Sequence, residues 1–298
     1  PDLLLPELRK KLYVPTALEA AFPSFNMPGK ECKFPFSTGA VAPFLKNAAT
    51  WSAITAMDDT TSQISATAQS FGARITADED TVADSVVPAL DYFRDSLTVA
   101  LQAGVESAIM NGDSVDAHAD LHTTASPRLW SEGGRWNTGS VTSTAADHRR
   151  AFIGLRAAAF DASTGRNASV MSYADILETR SSLDGGYQAA GDLLMIVSPI
   201  VMTKWLLQLT ETATLDKFGP AAGILNGSIG KLGGMDIIVS GAMTDDLSAS
   251  GVYDGVTTTK TGYVIVHRPS WVMGNYKPQT IDIDREITKG QIEIVGTR

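Results

Sequence analysis

The chain has 298 residues, 44% of them hydrophobic and 19% charged, with a formal net charge of -9. That apolar content can bury a core over one elaborated domain or two ordinary ones, which excludes a disordered chain; the acidic balance, without any Lys/Arg run, excludes a protein that grips phosphate backbones through clustered cations. Cys32 is the single cysteine, which excludes an intrachain disulfide and a cysteine-based zinc site, and no apolar run approaches the roughly 18 residues of a membrane span.

Prolines at 1, 6, 15, 23 and 28 punctuate the first thirty-odd residues. Each removes a backbone donor and fixes φ, so this stretch reads as an extended arm with one short helix near Pro6–Leu12. The chain opens at Pro1 without Met, as expected of a processed terminus, a chosen start or missing upstream residues. From Trp51 to Ile75 the apolar positions alternate, interrupted by Asp58-Asp59-Thr60-Thr61, which predicts a hairpin. A second strand of about fifteen residues would run roughly 50 Å, longer than compact domains use, so the hairpin is expected to project.

The period then becomes helical. Val86, Leu90, Phe93, Leu97, Leu101, Val105 and Ala108 recur at three- and four-residue steps, predicting one amphipathic helix over about 81–110. Asp78, Glu79 and Asp80 stand where carboxylates favour a helix start, and Asn111-Gly112 supplies a stop. Ala145–Phe160 reads as a helix with Thr144 as its cap. Leu193–Val197 reads as a buried strand, and Ser198-Pro199 offers an N-cap followed by proline at the first helical position. Gly223–Gly234 leads into a strand over Met235–Ser240; Tyr263–His267, Thr280–Ile283 and Gln291–Val295 close the chain as strands, the last two around the turn Thr288-Lys289-Gly290.

Catalytic and cofactor motifs are missing. Around Gly230-Lys231, Leu225 stands where a phosphate loop needs glycine and Leu232 replaces the metal-binding Ser/Thr, so the glycines serve turn chemistry. Asp113, Asp116, His118, Asp120 and His122 could hold a divalent ion, yet they match neither an EF-hand nor HExxH and read as a solvated loop or intersubunit contact. No GxSxG is present, and His148-Arg149-Arg150 reads as an exposed basic patch. No cofactor is expected.

The order of elements, an arm, a long hairpin, a long helix ending in Ala-Ile-Met-Asn-Gly-Asp, a mixed block and closing strands, resembles the major capsid proteins of tailed bacteriophages with the Hong Kong 97-type fold. Leu97 through Asp113 resembles that family's spine-helix end, and Leu193 through Pro199 its strand and capped helix. Ile229-Gly230, Gly233-Gly234 and Val239-Ser240 resemble its A-domain turn and strand, while Ile281 to Arg285 and Ile292–Val295 resemble its closing strands.

The resemblance implies an α+β fold in five parts: an N-terminal arm (1–33), an E-loop hairpin (34–78), a P-domain with its long spine helix (79–135), a mixed α/β A-domain (136–257), and returning P-domain strands (258–298). It implies intersubunit contacts through Trp51, Ile54, Ile64 and Phe71 of the E-loop, and a spine-helix core of Leu90, Phe93, Leu97, Leu101 and Val105. It further implies a structural protein of the virion, assembled in the host cytoplasm from copies of itself into pentamers and hexamers that enclose double-stranded DNA without sequence-specific binding. Scaffold, portal and decoration proteins would be further partners, with no membrane among them. Lys46 lies near the hairpin, but no Asn stands in 280–298 to accept a covalent cross-link, so none is expected. Related chains often run beyond the position of Arg298, so a further strand is expected there. The alternatives are an encapsulin-like nanocompartment shell, which shares the fold and encloses enzymes, and a metal-dependent hydrolase using His118 and His122.

Overall fold

The computed structural model describes residues 17–37, 61–83, 89–112, 148–161, 171–183, 185–209, 230–243, 247 and 260–298. The chain divides into a large unit (Pro1–Pro23, Ser70–Met273 and Gln279–Arg298) and a small one (Ser24–Gln69 and Gly274–Pro278).

In the large unit, one sheet is built around strand β5 (Leu193–Val197), in the order β6 (Lys231–Leu232), β7 (Met235–Val239), β5, β8 (Tyr263–His267). β5 pairs parallel with β7 and antiparallel with β8, and all five of its residues are buried. A strand covered on both faces needs an unbroken apolar run, which Leu-Leu-Met-Ile-Val supplies. Its alternating side chains feed two cores: Leu194 and Ile196 join one, Leu193, Met195 and Val197 the other. Ser198 then caps helix α6 (Pro199–Lys204), its Oγ accepting from the Val201 amide at 3.2 Å, with Pro199 opening the first turn. Gly233 and Gly234, with φ of +57° and +83°, make the tight turn joining β6 to β7, a backbone that side-chain-bearing residues rarely adopt.

A second sheet has the order β10 (Thr280–Glu286), β11 (Gln291–Thr297), β4 (Gly72–Asp78), all antiparallel. Helix α3 (Ala89–Asn111) packs against it. Ile294 at the sheet's centre is fully buried, and Gly296 lets the helix close in: a Cβ there would stand 3.0 Å from Leu101 Cδ1. At ~1.5 Å per residue α3 extends about 34 Å. Its first turns are amphipathic, with Leu90 and Phe93 half-buried and Asp91, Arg94 and Asp95 exposed, but from Val105 to Gly112 every residue is buried. The end of the helix is enclosed on all sides, as a helix inside a protein must be.

The small unit contains β1 (Ser24–Asn26), which forms a two-stranded sheet with β9 (Met273–Asn275), and an antiparallel ladder of β2 (Glu31–Ser37) with β3 (Thr61–Thr67).

Several expectations are corrected here. The arm reading fails for its second half: Leu18, in the short helix α1 (Leu18–Ala21), and Phe22 are core residues at 0% and 6% exposure, because a one-turn helix between prolines can still anchor two large apolar side chains. Residues 1–16 lie outside the described residues. The expected fifteen-residue strand is two seven-residue strands in different sheets. β3 pairs with β2, its Thr61 already in the ladder opposite Ser37, and β4 pairs with β11. The apolar positions shift from even (Ile64, Ala66, Ala68) to odd (Phe71, Ala73, Ile75) between the strands, which turns the opposite face inward. Of the helix expected over 81–110, the described residues show α2 (Glu79–Ala83) and α3 (Ala89–Asn111), and 84–88 lie outside them. The helix over 145–160 is described only as a 3-10 turn at His148–Arg150 and α4 (Leu155–Asp161). Arg149 is 3% exposed, so the triplet His148-Arg149-Arg150 is not an exposed patch; the turn packs on the enclosed end of α3. β8 lies in the β5 sheet rather than with the returning strands, because its inward Val266 completes the core beside Leu194.

Candidate assembly surface

The β2–β3 ladder sets its apolar residues on one face. Phe34 stands opposite Ile64 and Cys32 opposite Ala66, while Glu31, Lys33 and Pro35 face the other way with Thr67, Ser65 and Gln63. The apolar face is only partly covered: Phe25 packs edge-on against Phe34 at 5.1 Å, yet Phe34 stays 36% and Ile64 55% exposed. No charged residue stands between Asp59 and Arg74, so β3 carries no charge along its length. Natural edge strands are defended by Lys, Pro or inward charges, and β3 has none of these.

The second sheet presents a different surface. Register puts Ile281, Ile283 and Arg285 of β10 on the same face as Ile294 and Ile75, and Asp282, Asp284 and Glu286 on the other, with Glu293 and Asp78. Ile283 is 43% exposed on the edge strand and Ile287 in the following turn is 80% exposed. Across the sheet, the Arg285 guanidinium donates to Glu79 through Nε at 3.1 Å and also through Nη2.

The expected contact residues separate. Ile64 is exposed, whereas Phe71 is half-buried and packs on the core beside α3, its backbone bonded both ways to Arg298 at 2.8 and 2.9 Å. Trp51 and Ile54 lie outside the described residues, as do Lys46, His118 and His122. Of the helix residues, Leu97, Leu101 and Val105 are buried and Leu90 and Phe93 half-buried.

Sequence reasoning missed a buried polar joint at the enclosed end of α3. Glu106 is 1% exposed; Ser240 Oγ, in the turn after β7, donates to its Oε1 at 2.6 Å and accepts from the Ala242 amide at 3.1 Å. Glu106 Oε2 and Ser107 Oγ are buried without a hydrogen-bond partner. Asn111 Nδ2 donates to the Ala242 carbonyl and its Oδ1 accepts from Arg156, each at 2.7 Å. Burial raises the Glu106 pKa above the ordinary carboxylate range, against the opposing pull of the Ser240 hydroxyl and the Leu18 and Ala17 amides. The only signal in the sequence was a glutamate inside the apolar run Ala103–Met110.

No family model matches the sequence, and no curated protein sequence matches it significantly. Solved structures do. A chain of Mycobacterium phage Che8 is 15% identical with a TM-score of 0.63, covering 100% of this chain and 90% of that one. The capsid structure of the cyanophage P-SCSP1u gives 14% identity and a TM-score of 0.60, over 99% and 88% of the two chains. The capsid of a native GTA particle gives 12% and 0.58, over 97% and 86%. Among the described residues no helix is long and apolar enough to cross a membrane. Over nearly its full length, then, this chain is similar in fold to chains of phage and GTA-particle capsids.

Proposed function

We propose that the chain is the major capsid protein of a tailed phage, a structural and non-enzymatic subunit that tiles with copies of itself. In this reading it forms pentamers and hexamers of an icosahedral or prolate head around double-stranded DNA, located in the virion after assembly in the host cytoplasm. The small unit's β2–β3 ladder acts as the E-loop, α3 with the β10–β11–β4 sheet as the P-domain, and the sheet around β5 as the A-domain. Scaffold, portal and decoration proteins are the further partners this reading expects.

The observation that carries the proposal is the likeness to capsid chains along the full length, beside a ladder whose apolar face the described residues leave partly bare. A two-stranded ladder is marginal alone, and covering Phe34 and Ile64 with a neighbour supplies the missing burial. Net charge of -9 also suits a container, which must not adhere to its nucleic acid.

Electron microscopy of the purified full chain tests this directly. Closed polyhedral shells are expected, and packaged double-stranded DNA in particles from producing cells separates a phage head from a nanocompartment filled with enzyme. A monodisperse monomer that stays single at high concentration overturns the proposal.

A further inference from the structure

Glu106 sits where three segments distant in sequence meet: the end of α3 itself, the α1 segment, and the Ser240–Met243 turn. Leu18 and Phe22 from the α1 segment, Val105, Ile109 and Met110 from α3, and Ala242 and Met243 from the turn share one core. Into this apolar joint α3 inserts a carboxyl group 1% exposed, bonded at Oε1 by Ser240 and drawn on by the Leu18 and Ala17 amides, a set of donors that does not offset its burial, with no close partner at Oε2. A glutamine would fill the same space and accept the same bond without bringing an ionisable group into the core, so the position is one where an acid introduces pH dependence.

We propose that Glu106 is a proton-operated latch: with its carboxyl neutral, the α1 segment and the Ser240–Met243 turn stay clasped to α3, and with it ionised they release more readily. The inference does not rest on the shell reading.

The charged groups on the packed elements leave this assignment intact. Glu19 on α1 faces the site and adds like-charge repulsion, although it is also paired with Arg298 at the end of β11. Arg156 on α4 donates to Asn111 rather than to Glu106, and Arg149 is buried in the turn before it, flanked by the half-buried His148 and Arg150. Arg74 and Asp78 on β4, and Glu293 on β11, lie on the face of their sheet opposite Ile75 and Ile294. No charged residue stands in 240–243.

The sign follows from linkage. Burial raises the folded-state value, so the folded joint holds its proton where the opened joint, with Glu106 in water, has lost it. The contribution is fully present below the ordinary glutamate range and is lost as pH rises through the raised value. Ionisation is relieved by opening, and the α1 segment, a single turn of helix, is the lightest element to move.

Hydrogen exchange on the full chain across a pH series tests this, after correction for intrinsic exchange. Wild-type protection over Leu18–Phe22 and Gly241–Met243 should fall as pH rises through the titration of Glu106, while β5 amides, outside the latch, show no such step. In Glu106→Gln the step should vanish with protection retained. In Ser240→Ala the step should move to higher pH, because the hydroxyl that favours the ionised form is gone. A Glu106→Gln protein that keeps the wild-type step overturns the latch, as does a Ser240→Ala step that stays in place or moves down. Direct titration of the Glu106 carboxyl by NMR covers the case in which a variant fails to fold: a wild-type carboxyl already ionised at the ordinary glutamate value sinks the proposal.

Discussion

Strands β5 and β3 differ in what the chain itself does with them. Every residue of β5 is 0% exposed, and the strand is sandwiched between β7 and β8 with a core on each face. In β3 every residue but Ala66 is exposed, and its apolar side is Ile64 and Ala66 alone. β5 is laddered along both edges and β3, among the described residues, along one, so backbone pairing and side-chain burial both separate them. A strand that forms its ladder and leaves its best apolar residue 55% exposed is the kind of element a second molecule completes.

The largest expected effect breaks or confirms that contrast. Ile196→Ala removes a fully buried side chain between two strands and should cost about 2–5 kcal/mol in chemical denaturation. Ile64→Ala should change the stability of the unassembled chain by no more than about 0.5 kcal/mol, and Ile64→Asp should abolish or sharply reduce shell formation while leaving the subunit folded. Equal destabilisation by the two alanine variants would end the comparison. For the same reason a deletion aimed at the ladder must stop before Phe71, which belongs to the core.

Next in size is a backbone contact. A Cβ on Gly154 would lie 2.5 Å from the Gly112 amide nitrogen and 2.8 and 2.9 Å from the carbonyl oxygens of Ile109 and Ala108. All three are main-chain atoms at the enclosed end of α3, and the Gly154 amide donates to the Gly112 carbonyl there at 2.8 Å. Overpacking of this kind costs about 1–3 kcal/mol, so Gly154→Ala should lower the denaturation midpoint clearly. Gly191→Ala, with nothing within 4 Å of the added methyl, is the control and should be close to neutral. A smaller loss, about 1 kcal/mol, is expected for Ser198→Ala, which removes the cap where β5 turns into α6 and the hydroxyl contact with Thr261 at 3.0 Å. Thermal denaturation resolves that difference.

What could be read from residues was whatever depends on neighbours in the chain. Leu193–Val197 announced a doubly covered strand, Ser198-Pro199 a capped helix, and the Thr288–Gly290 turn a hairpin, each of which is present. The shift of apolar parity between Ala68 and Phe71 was also visible, and read more strictly it divides the long strand. Pairing was not legible. That β3 chooses β2, and β8 chooses β5, is decided by which apolar faces meet once the chain is compact. Least legible was the joint: Glu106, Arg149 and Arg156 look like surface residues in one dimension, and only the enclosing of the α3 end buries them.

The smallest expected effect lies at the other end of the β5 sheet, where Asp236 on β7 is bonded by Lys231 on β6 and Arg268 after β8, each at 3.1 Å. The hydrogen bond from Lys231 leads the causes that hold its carboxyl below the ordinary aspartate range, with Arg268 adding to it. A depressed value means that the pairing contributes stability above the unfolded-state value and loses it as pH falls through the folded-state one. Asp236→Asn should therefore melt slightly lower than wild type at neutral pH, and the two curves should converge in acid. Raising salt at neutral pH should narrow the gap too, since the carboxylate is a third exposed and its cations are more so. A gap of constant size from neutral to acid pH would mean that the aspartate holds β6, β7 and the turn after β8 by shape rather than charge, and that this end of the sheet, like β5 itself, owes its order to packing.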